Sequence, residues 1–177
     1  MIVLASNSPR RKELLSREGV EFRIVPSAAA EKKYDGELPE EYAMLLSRVK
    51  AESVFNLTGG TVIGADTIVC LNGEVLGKPK DEEDAAATLR KLSGKTHEVI
   101  TGYTVIKDGN EITDYEKTAV TFNELSNALI SDYVKSGLPL DKAGSYGVQD
   151  GYPLVKKIDG DKDNVIGLPV KKIIRIL

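Results

Sequence analysis

The stretch LASNSPRRKELL, residues 4–15, places two adjacent arginines, Arg10 and Arg11, directly behind a short apolar run and a Ser-Pro step. A strand that ends in a serine-rich turn and enters a helix gathers backbone N–H groups and the positive end of a helix dipole at one point, which suits phosphate. Cations are unfavourable in the first turn of a helix, and an anionic ligand would offset that repulsion. The plain alternative is two arginines projecting into water, and this stretch alone leaves the two balanced.

Asp66, in GADTIV, lies between small residues inside an otherwise apolar strand. A carboxylate there is costly unless it meets a cation, a metal or hydrogen-bond donors. A metal ligand and a general base are both open, as is a strand-end aspartate bonded to a turn. Lys78 stands before a proline in LGKPK, and Lys50 falls on a mostly apolar helix and can point inward. Each lysine alone reads as surface, and only their convergence would give them a role. Gln149 offers an amide donor and acceptor, the complement of a nucleobase edge, or else braces its own loop. Around it the segment from 137 to 169 sets Asp141, Lys142, Asp159 and Asp161 among glycines. His97 is the single histidine and Cys70 the single cysteine, so neither a His/Cys metal cluster nor an intrachain disulfide can form. A structural imidazole bonded to a turn and a small core thiol are the expected roles. Any metal site must be oxygen-rich, which favours Mg²⁺ or Mn²⁺.

Alternation and helical spacing give the elements that must hold these groups. Residues 2–5 read as a buried strand, and Ser8 caps a helix that begins at Pro9 and stops at Gly19. A second strand is expected in VEFRIV, then a long aperiodic loop. Tyr42, Leu45, Leu46, Val49 and Ser53 recur at helical spacing behind Pro39, giving a helix that ends near Asn56. TVIGADTIVCL is a strand, and Asn72-Gly73 turns it into a hairpin. Asp81 caps a helix closed by Ser93-Gly94, strands near 97–107 and 111–122 join through Asp108-Gly109, and Ser126 caps a helix through Ser136. Val170, Ile173, Ile174 and Leu177 mark a closing helix. Strands and helices intermix around a long hairpin, so the expected fold is α/β, a mixed central β-sheet flanked by helices.

The 177 residues suit one functional unit, 1–177, with a buried core. With 24 Lys+Arg against 27 Asp+Glu the totals imply no basic face, which argues against a nucleic-acid partner. No apolar run approaches the ~18 residues of a membrane span, and no leader pattern opens the chain, so a cytoplasmic location and no membrane partner are expected. Base rates allow a homodimer.

Five separated stretches, LASNSPRRKELL, GADTIVCLNGEVLGKPKD, LSGKTHEVITG, LDKAGSYGVQDG and KKIDGDKDNVIGLP, together resemble the Maf family of nucleoside triphosphate pyrophosphatases. They occur in family order from residue 4 to residue 169. The resemblance implies a fold similar to inosine triphosphate pyrophosphatases, two lobes with a cleft, and cleavage of a nucleoside triphosphate to monophosphate and pyrophosphate. It implies Asp66 as proton acceptor and Ser8, Arg10, Arg11, Lys50 and Lys78 as the phosphate-facing set. Glu31, which nothing local singles out, matches a loop carboxylate associated with the divalent metal, and Asp66 is the other metal-side acid. Arg10, Thr67 and Gln149 fall on the positions thought to set base preference and are similar to the dTTP/UTP branch. The chain departs from the pattern at Ala30, where relatives carry a second acid, and at Asp150, where the pattern has glycine.

Two other functions use the same features. A nucleotidyltransferase would incorporate a second substrate, and a nucleotide-sensing regulator of cell division would bind without turnover. The regulator leaves the rigid strand carboxylate of Asp66 unexplained.

Overall fold

The computed structural model describes residues 1–177. Strand β1 (Ile2–Leu4) leads into helix α1 (Pro9–Arg17), followed by β2 (Phe22–Ile24), α2 (Pro39–Thr58), β3 (Thr61–Leu71), β4 (Glu74–Leu76) and α3 (Glu82–Leu92). The hairpin β5 (Thr96–Lys107) and β6 (Asn110–Phe122) precedes α4 (Asn127–Lys135), β7 (Val155–Asp159), α5 (Lys162–Ile166) and α6 (Val170–Ile174). The strands form one sheet in the order β2-β1-β3-β5-β6-β7, with β4 beside β3. The β1 pairings with β2 and β3 are parallel and all others antiparallel, which is the expected mixed sheet.

Local chemistry accounts for the elements. Ser8 caps α1 by accepting from the Arg11 N–H at 3.4 Å, with Pro9 in the first turn. Asp81 and Ser126 cap α3 and α4 in the same way. Both residues of Asn72-Gly73 and of Asp108-Gly109 have positive φ, the tight turn that matches the twist of a two-residue hairpin. Some ends differ from expectation. Helix α2 runs to Thr58, beyond Asn56, because only Gly59 at φ 58° breaks it. The closing helix stops at Ile174, three residues before Leu177. In VEFRIV only Phe22–Ile24 pairs with β1.

Side chains of β3 alternate between two helical layers. Val62, Ile68 and Cys70 face α2, with Ala43, Ala51 and Val54 opposite them. Ile63 and Ala65 face α1 and α6, while Val69 and Leu71 join a second core built with α3 and α4. Two lobes thus share the long strands β3, β5 and β6. Cys70 is the buried core thiol expected of it.

Candidate active site

The cleft arises from an interrupted sheet edge. β1 pairs with the start of β3, ending in the Ala5 N–H to Ile63 carbonyl bond of 2.8 Å, and β4 takes up the same edge only at Val69. Between them residues 64–68 of β3 have a partner strand, β5, on one side alone. A cleft of about 770 Å³ opens at this gap. That is room for a nucleotide-sized ligand.

Asp66 and Thr67 are adjacent in this gap, so strand alternation sends them to opposite layers. Asp66 shares the α2 side with Ile68, and its Oδ1 accepts from Lys50 Nζ of α2. The same ammonium lies 2.7 Å from Glu31 Oε1, in the loop before α2. Lys50 and Asp66 keep 15% and 16% of their side chains exposed, whereas Glu31 keeps 62%. The hydrogen bond from Lys50 holds the Glu31 carboxyl below the usual carboxylate range, and the charges of Lys78 and Arg11 add to it. Three residues picked from separate stretches therefore meet at one nitrogen, and Lys50 is an ion-pair partner of both acids.

Thr67 turns the other way, onto α1. Its Oγ1 accepts from Arg11 Nη2 at 3.1 Å and shares a hydrogen bond with Thr101 Oγ1 at 2.9 Å. Arg11 Nη1 donates to Ser6 Oγ at 3.1 Å and Nε to the Gly167 carbonyl at 2.8 Å. Arg11 is 9% exposed, so it is neither a solvated helix end nor a mobile grip. Three protein acceptors fix its guanidinium at the cleft wall, and two of its five N–H donors remain for a ligand. Arg10 is freer, its nearest carboxylate being Asp141 at 4.0 Å. Lys78 and Gln149 are exposed and line the cleft, and Ser8 lines it beside the arginines while serving as the α1 cap.

The cleft lining mixes charged and apolar groups. Val69, Leu76, Tyr146 and Val148, which pack on one another, form an apolar part of it. Tyr146 is set there by His97, whose Nε2 lies 2.7 Å from the Tyr146 hydroxyl. His97 thus has the structural role expected of it, and burial pulls its imidazole down to about 4.

Glu31 and Asp66 bring carboxylate oxygens to one point, the Lys50 ammonium. Such a donor set suits a hard divalent cation that completes its sphere with water and substrate phosphates. No group of three or more His, Cys, Asp and Glu side chains stands together, so the protein provides no full cage.

Asp159 and Asp161 do not line the cleft, and Asp161 caps α5. Sequence reasoning missed Ser6, Thr101 and the Gly167 carbonyl, which hold Arg11 and Thr67. Ser6 could have been found, since it precedes Ser8 in the same serine-rich turn; the other two reach the site only through tertiary folding. No helix is long and apolar enough to cross a membrane.

The family model described as Maf-like protein matches residues 1–177. The dTTP/UTP pyrophosphatase of Thermococcus gammatolerans is 51% identical over 174 residues, covering 98% of this chain and 93% of the relative. The dTTP/UTP pyrophosphatase of Bacillus pumilus is 48% identical over 178 residues, covering 99% and 94%. Among solved structures, a nucleoside-triphosphatase / dITP/XTP pyrophosphatase from Mycobacterium abscessus aligns with a TM-score of 0.47 and 14% identity, over 99% of this chain and 92% of that one. The family match over the whole chain and the two full-length relatives at about half identity agree with the motifs gathered in the cleft, and the chain belongs to the Maf family.

Proposed function

We propose that this chain, acting as one unit over residues 1–177, hydrolyses dTTP and UTP to the nucleoside monophosphate and pyrophosphate. The observation that carries the reading is the meeting of Asp66, Lys50 and Glu31 in a cleft that Arg10, Arg11, Lys78 and an apolar patch also line. Kinship along the full chain with two dTTP/UTP pyrophosphatases supports the choice of base.

Asp66 orients the attacking water and takes its proton at Oδ2, because Oδ1 is engaged by Lys50. Lys50 keeps that carboxylate aimed and brings Glu31 beside it. Arg10 and Lys78, with no close ion pair, face the charge that develops on the leaving pyrophosphate. Arg11 is a rigid cation at the α1 N-terminus, and Ser8, whose Oγ already accepts the Arg11 N–H, keeps its own hydroxyl proton for the phosphate. Gln149 presents its amide to the base edge, Arg10 flanks it, and Thr67 acts by holding Arg11. Glu31, with Asp66 beside it, would hold a Mg²⁺ or Mn²⁺ ion; Glu31 would carry most of it, because a metal-bound Asp66 would be a weaker base, and the ion when bound supplies charge neutralisation to the polyphosphate.

Incubation with Mg²⁺ and a panel of standard and modified triphosphates tests the reading. Turnover led by dTTP and UTP is expected, with activity lost on chelation. A purine preference, or binding of every triphosphate without turnover, would overturn it.

A further inference from the structure

Gln149 is exposed and makes no hydrogen bond of its own, so its place over the cleft is set by the backbone that carries it. That backbone has a buried ionic anchor one residue along. Asp150 keeps 11% of its side chain exposed, and the Lys142 ammonium, 9% exposed, lies 3.6 Å from its Oδ2. The same oxygen accepts from the Tyr133 hydroxyl, on α4. The hydroxyl in turn accepts from the Gly147 N–H at 3.0 Å, and the Asp150 N–H closes the turn onto the Gly147 carbonyl at 3.2 Å. A single tyrosine, itself fully buried, therefore ties both ends of the 147–150 turn to one helix. Burying a carboxylate and an ammonium costs desolvation energy, and a surface turn could be closed without them. Lys142 also lies 3.0 Å from Asp141, which faces Arg10 across the cleft at 4.0 Å.

We propose that Asp150, held by Tyr133 and Lys142, is a positioning residue for base selection: it fixes the turn that carries Gln149 at the cleft. The inference rests on the nucleotide reading above. Uracil and cytosine differ in the donor and acceptor order of one edge, and an amide tells them apart only when it is held still.

Steady-state kinetics on dTTP, UTP and CTP, with thermal melting alongside, test it in the wild type, Tyr133→Phe and Asp150→Asn. Tyr133→Phe removes the hydroxyl with little change of shape, and Asp150→Asn keeps an acceptor for Tyr133 while removing the charge opposite Lys142. KM for dTTP and UTP should rise about tenfold in Tyr133→Phe with kcat held within about threefold, and the preference for UTP over CTP should fall about tenfold. Asp150→Asn should fall between it and the wild type. Variants that melt lower but keep the wild-type KM and UTP/CTP ratio would overturn the inference and leave the nucleotide reading intact. A wild type that hydrolyses neither dTTP nor UTP would overturn that reading, and this inference with it.

Discussion

Asp66 stood out in the sequence because a carboxylate in an apolar strand needs a partner, and the partner is Lys50, sixteen residues earlier. Glu31 did not stand out from spacing, since it sits in an aperiodic loop and reaches the site only when that loop folds over α2. General-base catalysis contributes typically ~10²–10⁴ in rate, so Asp66→Asn should lower kcat by at least about a hundredfold while circular dichroism and melting stay near wild type. Turnover close to wild type would remove Asp66 from the role. His97 gives a prediction in the other direction, on stability. Its ordinary value of 6.5 is pulled down to about 4 by burial. Between those pH values the unfolded chain binds a proton that the native chain refuses, so this residue's effect is to lower stability as pH falls from about 6.5 to about 4, by roughly 3 kcal/mol in all. His97→Gln should flatten that stretch of the urea-midpoint against pH profile, and an unchanged slope would contradict the assignment.

At the scale of elements, α2 carries Lys50 and lies directly on the sheet because β3 and β5 have glycines beneath it. A Cβ on Gly102 would come within 2.2 Å of the Ala43 carbonyl, and one on Gly64 within 2.3 Å of the Ser47 carbonyl. Both obstacles are helix backbone, so the helix itself would have to move. Gly102→Ala should cost about 1–3 kcal/mol or more, a fall in Tm of roughly 2–12 °C for a chain of this size. Because the shift displaces Lys50 from Asp66, kcat should fall with it, and a variant with lower Tm but full kcat would show that the helix seat and the site are independent. The elements themselves were largely legible. Ser8, Asp81 and Ser126 start helices, and Asn72-Gly73 and Asp108-Gly109 turn hairpins through local chemistry that needs no tertiary partner. The ends of α2 and α6 were less so, since competition between fraying and capping decides them within a residue or two.

For the whole molecule, the mixed sheet followed from the hairpin and the scarcity of βαβ units, but the origin of the cleft did not. It depends on β1 leaving the edge of β3 at Ile63 and β4 joining it at Val69, a pairing that no single strand's pattern encodes. The same gap explains why two neighbouring residues of one strand, Asp66 and Thr67, serve opposite walls of one site. The anchoring of Arg11 was equally hidden, because its three acceptors come from residues 6, 67 and 167. The central claim is that this site breaks the α–β anhydride of a pyrimidine triphosphate with water. Phosphorus NMR of the protein turning over dTTP with Mg²⁺ tests it most directly: dTMP and pyrophosphate should appear in equal amounts, whereas dTDP with orthophosphate would contradict it.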